Sequence, residues 1–135
     1  MPFELTIVTP SGETFRGAAD GIVLPGSEGD FGVLPEHERF LTPLRIGTIE
    51  IKIGGETVHA AIADGFAEVT GDQVAVMVDS CDLASGLDLA EAERLRAEAE
   101  QSLAGVTHDD DAERYAAYEN ALALAHARVE ATNKR

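Results

Sequence analysis

The chain has 135 residues, enough for one ordinary domain or for a small domain with an appended piece. Its 25 acidic and 10 basic side chains give a formal charge of −15, which repels nucleic-acid phosphates and anionic lipid headgroups and argues against nucleic acid as a partner. The lone Cys81 excludes an internal disulfide and points to a reducing compartment. No apolar run approaches the roughly 18 residues of a membrane span, so direct membrane insertion is not expected. The opening Met1-Pro2-Phe3-Glu4-Leu5 lacks the charged and long apolar regions of a signal peptide, which predicts a cytosolic protein.

Taken in order, residues 1 to about 81 read as strands divided by turn signals. Phe3 to Thr9 is rich in β-formers and stops at Pro10-Ser11-Gly12. Thr14 to Arg16 forms a second run ending near Gly17, and Ile22-Val23-Leu24 follows. Then comes the most closely specified stretch, Pro25-Gly26-Ser27-Glu28-Gly29-Asp30-Phe31-Gly32-Val33-Leu34-Pro35. Glycine permits φ > 0 and proline fixes φ, so the chain should reverse here between the strands Ile22 to Leu24 and Phe31 to Leu34. Phe40-Leu41-Thr42 comes next. Gly47 to Ile53 then alternates apolar Ile49, Ile51 and Ile53 with Thr48, Glu50 and Lys52, the period of a half-buried strand. Gly54-Gly55 is a two-residue hairpin signal leading into Thr57 to Ile62. Phe66 to Val69 and Val74 to Val78, joined at Gly71-Asp72, complete a series that predicts an all-β sandwich or barrel.

Composition changes after the segment Asp82 to Gly86. From Leu87 onward there is no proline and one glycine, Gly105, while alanine, glutamate and arginine dominate. Leu89, Ala92, Leu95, Ala99 and Leu103 form one apolar stripe at helical spacing, and Tyr115, Tyr118, Leu122, Ala125 and Val129 form another. Gly105 and the run Asp109-Asp110-Asp111 between them mark a helix end and a new start. The expected fold class is therefore α+β: an N-terminal β-sandwich over residues 1–84 and a C-terminal antiparallel two-helix hairpin over residues 85–135. Alanine buries little area, so the hairpin is expected to be weakly held and to be the mobile half.

No catalytic constellation emerges. Glu36-His37-Glu38-Arg39 lacks a second His or Cys at metal-ligand spacing, and His59, His108 and His126 are scattered, so no metal or other cofactor is expected. Cys81 has no basic neighbour to lower its pKa and reads as a small buried or half-buried thiol. Gly26-x-x-Gly29-x-x-Gly32 has no phosphate-loop lysine and no following helix. Leu87-Asp88-Leu89-Ala90-Glu91-Ala92 reads as a helix cap, with Asp88 accepting from the N–H of Glu91 and Glu91 reaching back.

Sandwich, central turn and alanine-rich hairpin, in that order, resemble the epsilon subunit of bacterial F-type ATP synthases along essentially the whole chain. The most specific residues are Pro25 to Pro35 followed by His37, then Leu41-Thr42 and Gly47. Asp64-Gly65-Phe66-Ala67-Glu68-Val69, Val74-Ala75-Val76 and Leu87-Asp88 add to them. The resemblance implies a non-catalytic rotor component, peripheral on the cytoplasmic face of the bacterial plasma membrane. Its sandwich would meet the gamma subunit and the polar loops of the c-ring. Asp30 matches the family's acidic residue beside those loops, with Glu28 and His37 as further c-ring contacts. In some members the helices extend along gamma to the catalytic alpha/beta hexamer and block ATP hydrolysis; Arg128, Lys134 and Arg135 are the candidate contacts for that role.

Two departures from the family pattern stand out. Small or apolar residues around the family's histidine are replaced by Pro35-Glu36-His37-Glu38-Arg39, which makes that loop more polar. In members that bind a nucleotide the helix opens with Leu/Ile-Asp-x-x-Arg-Ala. Here Glu91 stands in place of the arginine, so Asp88 and Glu91 read as a helix cap or a vestige of that motif, and ATP binding is not expected. From Asp82 onward twelve acidic residues face six basic ones, so inhibition through charge should be poor. The alternative is a nucleotide-sensing regulatory module whose hairpin closes on ATP.

Overall fold

A computed structural model describes residues 2–35, 38–107, 109 and 111–134. Ten strands come first: β1 (Phe3–Thr9), β2 (Gly12–Ala19), β3 (Gly21–Gly26), β4 (Gly29–Val33), β5 (Phe40–Leu44), β6 (Gly47–Ile53), β7 (Glu56–Ile62), β8 (Gly65–Thr70), β9 (Gln73–Val78) and β10 (Cys81–Leu83). A short 3₁₀ turn at Ala84–Gly86 leads to helices α1 (Leu89–Ala104) and α2 (Ala112–Lys134). The α+β class expected from the sequence is the class observed.

The strands are hydrogen-bonded in the order β10-β7-β6-β3-β5-β8-β9-β1-β2, with β4 on the other side of β3. All pairings are antiparallel except β1 with β9. β3 is where the sheet folds over: Gly21 to Val23 pair with β6, whereas Gly26 pairs with Leu44 of β5. At the opposite corner the Asp20 N–H donates to the Lys52 carbonyl at 2.7 Å, and the Gly54 N–H donates to Asp20 Oδ2 at 2.8 Å. The result is two layers, one of β10-β7-β6 and the other of β5-β8-β9-β1-β2, with β3 and β4 at the fold.

Side-chain alternation fills the space between the layers. Phe3, Leu5 and Ile7 of β1, Val74 and Val76 of β9 and Val69 of β8 meet Ile22 and Leu24 of β3, Ile49 and Ile51 of β6 and Ile62 of β7 in one buried cluster. The predicted alternation in β6 holds, with Ile49 and Ile51 fully buried and Ile53 half-buried. Gly54 and Gly55 both have positive φ, 55° and 89°, as a two-residue hairpin between twisted strands requires.

Three details differ from expectation. β2 runs through Gly17 to Ala19, because β1 pairs with it there residue for residue, Phe3 to Leu5 opposite Ala19 to Gly17; the register shifts only further on, between Ile7 and Val8. β10 adds an edge strand against Ala60 to Ile62 of β7, beyond the predicted strands but within the expected sandwich of residues 1–84. Gly105 does cap α1 but in the right-handed region, φ −83°, with its N–H donating to the Gln101 carbonyl at 3.2 Å.

Both predicted apolar stripes are buried or half-buried between α1 and α2. α2 also has a second buried face, which its sequence does not announce. Ala127 and Ala131 form a small cluster with Ala61 of β7 and Ala84, and α2 lies along β7, β6 and the 3₁₀ turn. At 3.6 residues per turn this face lies roughly opposite the one that meets α1. The hairpin is thus folded down, with α2 between α1 and the sheet.

Candidate functional site: the hairpin tip and the seam under the second helix

β3 and β4 form a hairpin whose two-residue tip is Ser27-Glu28. A Cβ on Gly26 would lie 2.7 Å from the Gly29 carbonyl and 2.9 Å from the Phe31 ring, and Gly29 has φ +136°, so both positions are confined to glycine. The Ser27 N–H donates to the Pro43 carbonyl at 3.2 Å, and the Arg45 N–H donates to the Pro25 carbonyl at 2.9 Å. The tip is therefore tied on both sides to β5 and presents Glu28 and Asp30 from a rigid base, both exposed.

Asp30 has a partner that the sequence does not suggest. Arg45 Nη2 donates to Asp30 Oδ1 at 2.5 Å, with both side chains half or more exposed. Fifteen residues separate the two, and only the β3–β5 crossing brings them together. His37, the third predicted contact, lies outside the described residues, as does Glu36. Phe31 and Phe40 stack edge-to-face behind the tip, ring centroids 5.8 Å apart.

The start of α1 departs from the predicted capping box. Asp88 caps the helix, but its Oδ1 accepts from the Ala90 N–H at 3.1 Å and not from that of Glu91. Glu91 does not reach back, because Arg94 draws it along the helix with bonds of 2.5 and 3.1 Å. This bidentate hydrogen bond holds the Glu91 carboxyl below the usual carboxylate range, against the opposing effect of desolvation. A fork-paired carboxylate at this spot offers no cation to a phosphate.

The seam beneath α2 engages two of the three basic residues assigned to distant contacts. Arg128 Nε donates to Asp82 Oδ2 at 2.9 Å, with both groups about one-third exposed or less. Lys134 donates to Glu130 at 3.0 Å and approaches Glu50 of β6 at 3.9 Å. Its ammonium is held in the charged form chiefly by the Glu130 bond. In this conformation Arg128 and Lys134 face their own sandwich; Arg135 lies outside the described residues. Cys81, beside Asp82, is half-buried; burial, and then the neighbouring Asp82 charge, push its thiol up to about 11. Among the described residues no three His, Cys, Asp or Glu side chains gather as a metal site would need, and no helix is long and apolar enough to cross a membrane.

Comparison with known proteins supplies the family. The family described as "ATP synthase, Delta/Epsilon chain, beta-sandwich domain" matches residues 2–84. An ATP synthase epsilon chain of Nitratidesulfovibrio vulgaris is 40% identical over 120 residues, covering 88% of this chain and 90% of its own. One from a Synechococcus strain is 34% identical over 132 residues, 98% of each chain. A chain of the Euglena gracilis mitochondrial ATP synthase, solved with its F1 part and c-ring, superposes with a TM-score of 0.80 at 22% identity, over 98% of this chain and 81% of that one, which shows the shared fold. Matched by the family over more than half of its length and 34–40% identical to these relatives along nearly all of it, the chain belongs to the family of ATP synthase epsilon chains.

Proposed function

We propose that the chain is the non-catalytic epsilon subunit of the central stalk of a proton-translocating F-type ATP synthase, coupling the c-ring to gamma by protein contacts alone. The observation that carries this reading is identity at 34–40% along nearly the whole chain with ATP synthase epsilon chains. A solved relative sits in an assembly that includes a c-ring, which agrees with it. Peripheral attachment to the membrane then follows from the complex, on the cytoplasmic face in a bacterium.

The tip supports a finer assignment. Glu28 and Asp30 project from a braced hairpin, and a basic residue on a c-ring loop would compete with Arg45 for the Asp30 carboxylate. An interfacial ion pair of this kind fixes register more than it adds affinity. Asp30→Arg is expected to leave the fold intact and to lower the yield of ATP per proton-motive force in reconstituted vesicles. Normal proton-driven synthesis with that variant would count against the assignment.

Docking of α2 through alanines and two ion pairs, Arg128–Asp82 and the longer Lys134–Glu50, favours a hairpin that folds on the sandwich and regulates hydrolysis weakly. Deletion of residues 87–135 should change ATPase activity of the assembled enzyme by less than a few-fold; a several-fold rise would overturn this. The nucleotide-sensing alternative predicts heat on titration with ATP and Mg²⁺, whereas the Glu91–Arg94 pair predicts none.

A further inference from the structure

The seam under α2 holds a titratable group that neither the rotor role nor the ion pairs account for. Val58, Ala60 and Ile62 of β7 point into the core, so His59 and Ala61 point outward, onto the face that α2 covers. Ala61 lies against Ala127 and Ala131, and His59 is its neighbour two positions along the strand. The ring is half-buried, and its Nδ1 is fully buried with no hydrogen-bond partner among the described residues. Buried polar atoms are normally satisfied, so an orphaned nitrogen in a seam of alanines points to a second state in which it is not buried. Charged groups surround the ring without engaging it. Glu50 of β6 is directly opposite His59, Lys52 is diagonal to it, and Asp82 of β10 is opposite Ala61. From above, α2 brings Arg128 and Lys134, the latter held also by Glu130 of the same helix. Among the described residues Asp82 pairs with Arg128 and Glu50 with Lys134, and neither pairs with His59. His126 of α2 is exposed.

We propose that His59 is a pH-sensitive latch on the hairpin: neutral, it lets α2 dock, and protonated, it releases α2 from the sheet. Neutral imidazole carries a proton on one nitrogen, whereas the cation carries one on each. Docked, the cation would seal a charged Nδ1–H donor against α2 with no acceptor, and would add positive charge beside Arg128 and Lys134. Released, the ring is hydrated and free to turn to Glu50, taking the carboxylate that Lys134 approaches in the docked state. Both effects favour the undocked form in acid. The sign of the linkage follows: docking is strongest above the imidazole range and weakens as pH falls through it, from roughly 7.5 to 5.5. The alanines make the seam responsive, since they supply little docking energy for the proton to overcome. In the assembled enzyme acidification would thus free the hairpin; that consequence rests on the rotor reading above, whereas the latch needs only the fold.

NMR titration of the isotopically labelled full chain reads ring and helix together. Between about pH 7.5 and 5.5 the His59 ring signals and the α2 amides from Ala127 to Thr132 should move with one midpoint, while the undocked population rises roughly tenfold. Amides of β1, β8 and β9 should not follow. His59→Gln keeps a polar side chain that does not titrate, and should hold the undocked population constant within about twofold over the same range. His59→Thr, suited to a strand, is a second neutral replacement in case glutamine disturbs the sheet. His126 titrates in parent and variants alike and serves as the internal control. An α2 response that survives in both variants would overturn the proposal, as would a His59 ring that titrates while α2 stays docked. Equal pH profiles of ATPase activity for the enzyme assembled with parent and with His59→Gln would remove the regulatory consequence and leave the latch standing.

Discussion

The two halves of the molecule are held by different materials. Between the sandwich layers Leu5, Ile7, Ile22, Leu24, Ile49, Ile51 and Ile62 are fully buried, whereas the seam between α2 and the sandwich is a cluster of four alanines, Ala61, Ala84, Ala127 and Ala131, edged by the Arg128–Asp82 pair. Burying a leucine or isoleucine contributes about 1.5–3 kcal/mol, while an alanine methyl contributes only about 0.8 kcal/mol. The four alanines together thus amount to one or two core side chains. Interlocked strands form a unit that opens as a whole; a smooth alanine surface lets two bodies part without disturbing either.

That contrast can be attacked from either side. Leu24→Ala, in the strand shared by both layers, should cost about 2–5 kcal/mol and produce the largest fall in the melting temperature of the sandwich. Ala131→Asp buries a carboxylate against alanines and should undock the hairpin while the sandwich melts as before. Hydrogen exchange would show α2 amides losing protection with those of β1, β8 and β9 unaltered. If both halves lost protection together, the picture of two separable bodies would be wrong.

Smaller effects are expected at the edge of the seam and at the start of α1. Arg128→Ala should weaken docking by about 1 kcal/mol, as expected for a partly screened ion pair, and high salt should reproduce much of the effect in the parent. Asp88→Ala should cost α1 about 1 kcal/mol through loss of its cap, read as faster exchange in the first turn. The effect at Cys81 is absent at neutral pH and emerges only in alkali. Because its folded pKa is raised to about 11, the associated stability is complete below the ordinary thiol pKa and is lost as pH rises toward 11. The melting temperature of Cys81→Ala, measured relative to the parent, should therefore climb as pH is raised from neutrality to about 11. Alkylation of the folded parent at mildly alkaline pH should be slow.

Much of the architecture is legible because it is written in local chemistry. Ile49, Ile51 and Ile53 announce a half-buried strand by their period, Gly54-Gly55 announces its turn, and the two apolar stripes of the helices name their mutual face. The rigid reversal around Gly26 and Gly29 is likewise visible as a turn. β10 is not, since Cys81-Asp82-Leu83 has no period long enough to register and forms a strand only because β7 offers an open edge. The second face of α2 is equally silent, because alanines at 127 and 131 look like helix filler until something lies against them.

The residues of the site divide along the same line. Strand period, turn glycines and family resemblance depend on neighbours within a few positions, and a reader of the chain can recover them. Arg45 beside Asp30, Asp82 under Arg128, and Glu50 opposite His59 depend on which strands lie side by side. That choice is made by burial of the whole core, a sum over contacts distant in sequence, so no local pattern records it.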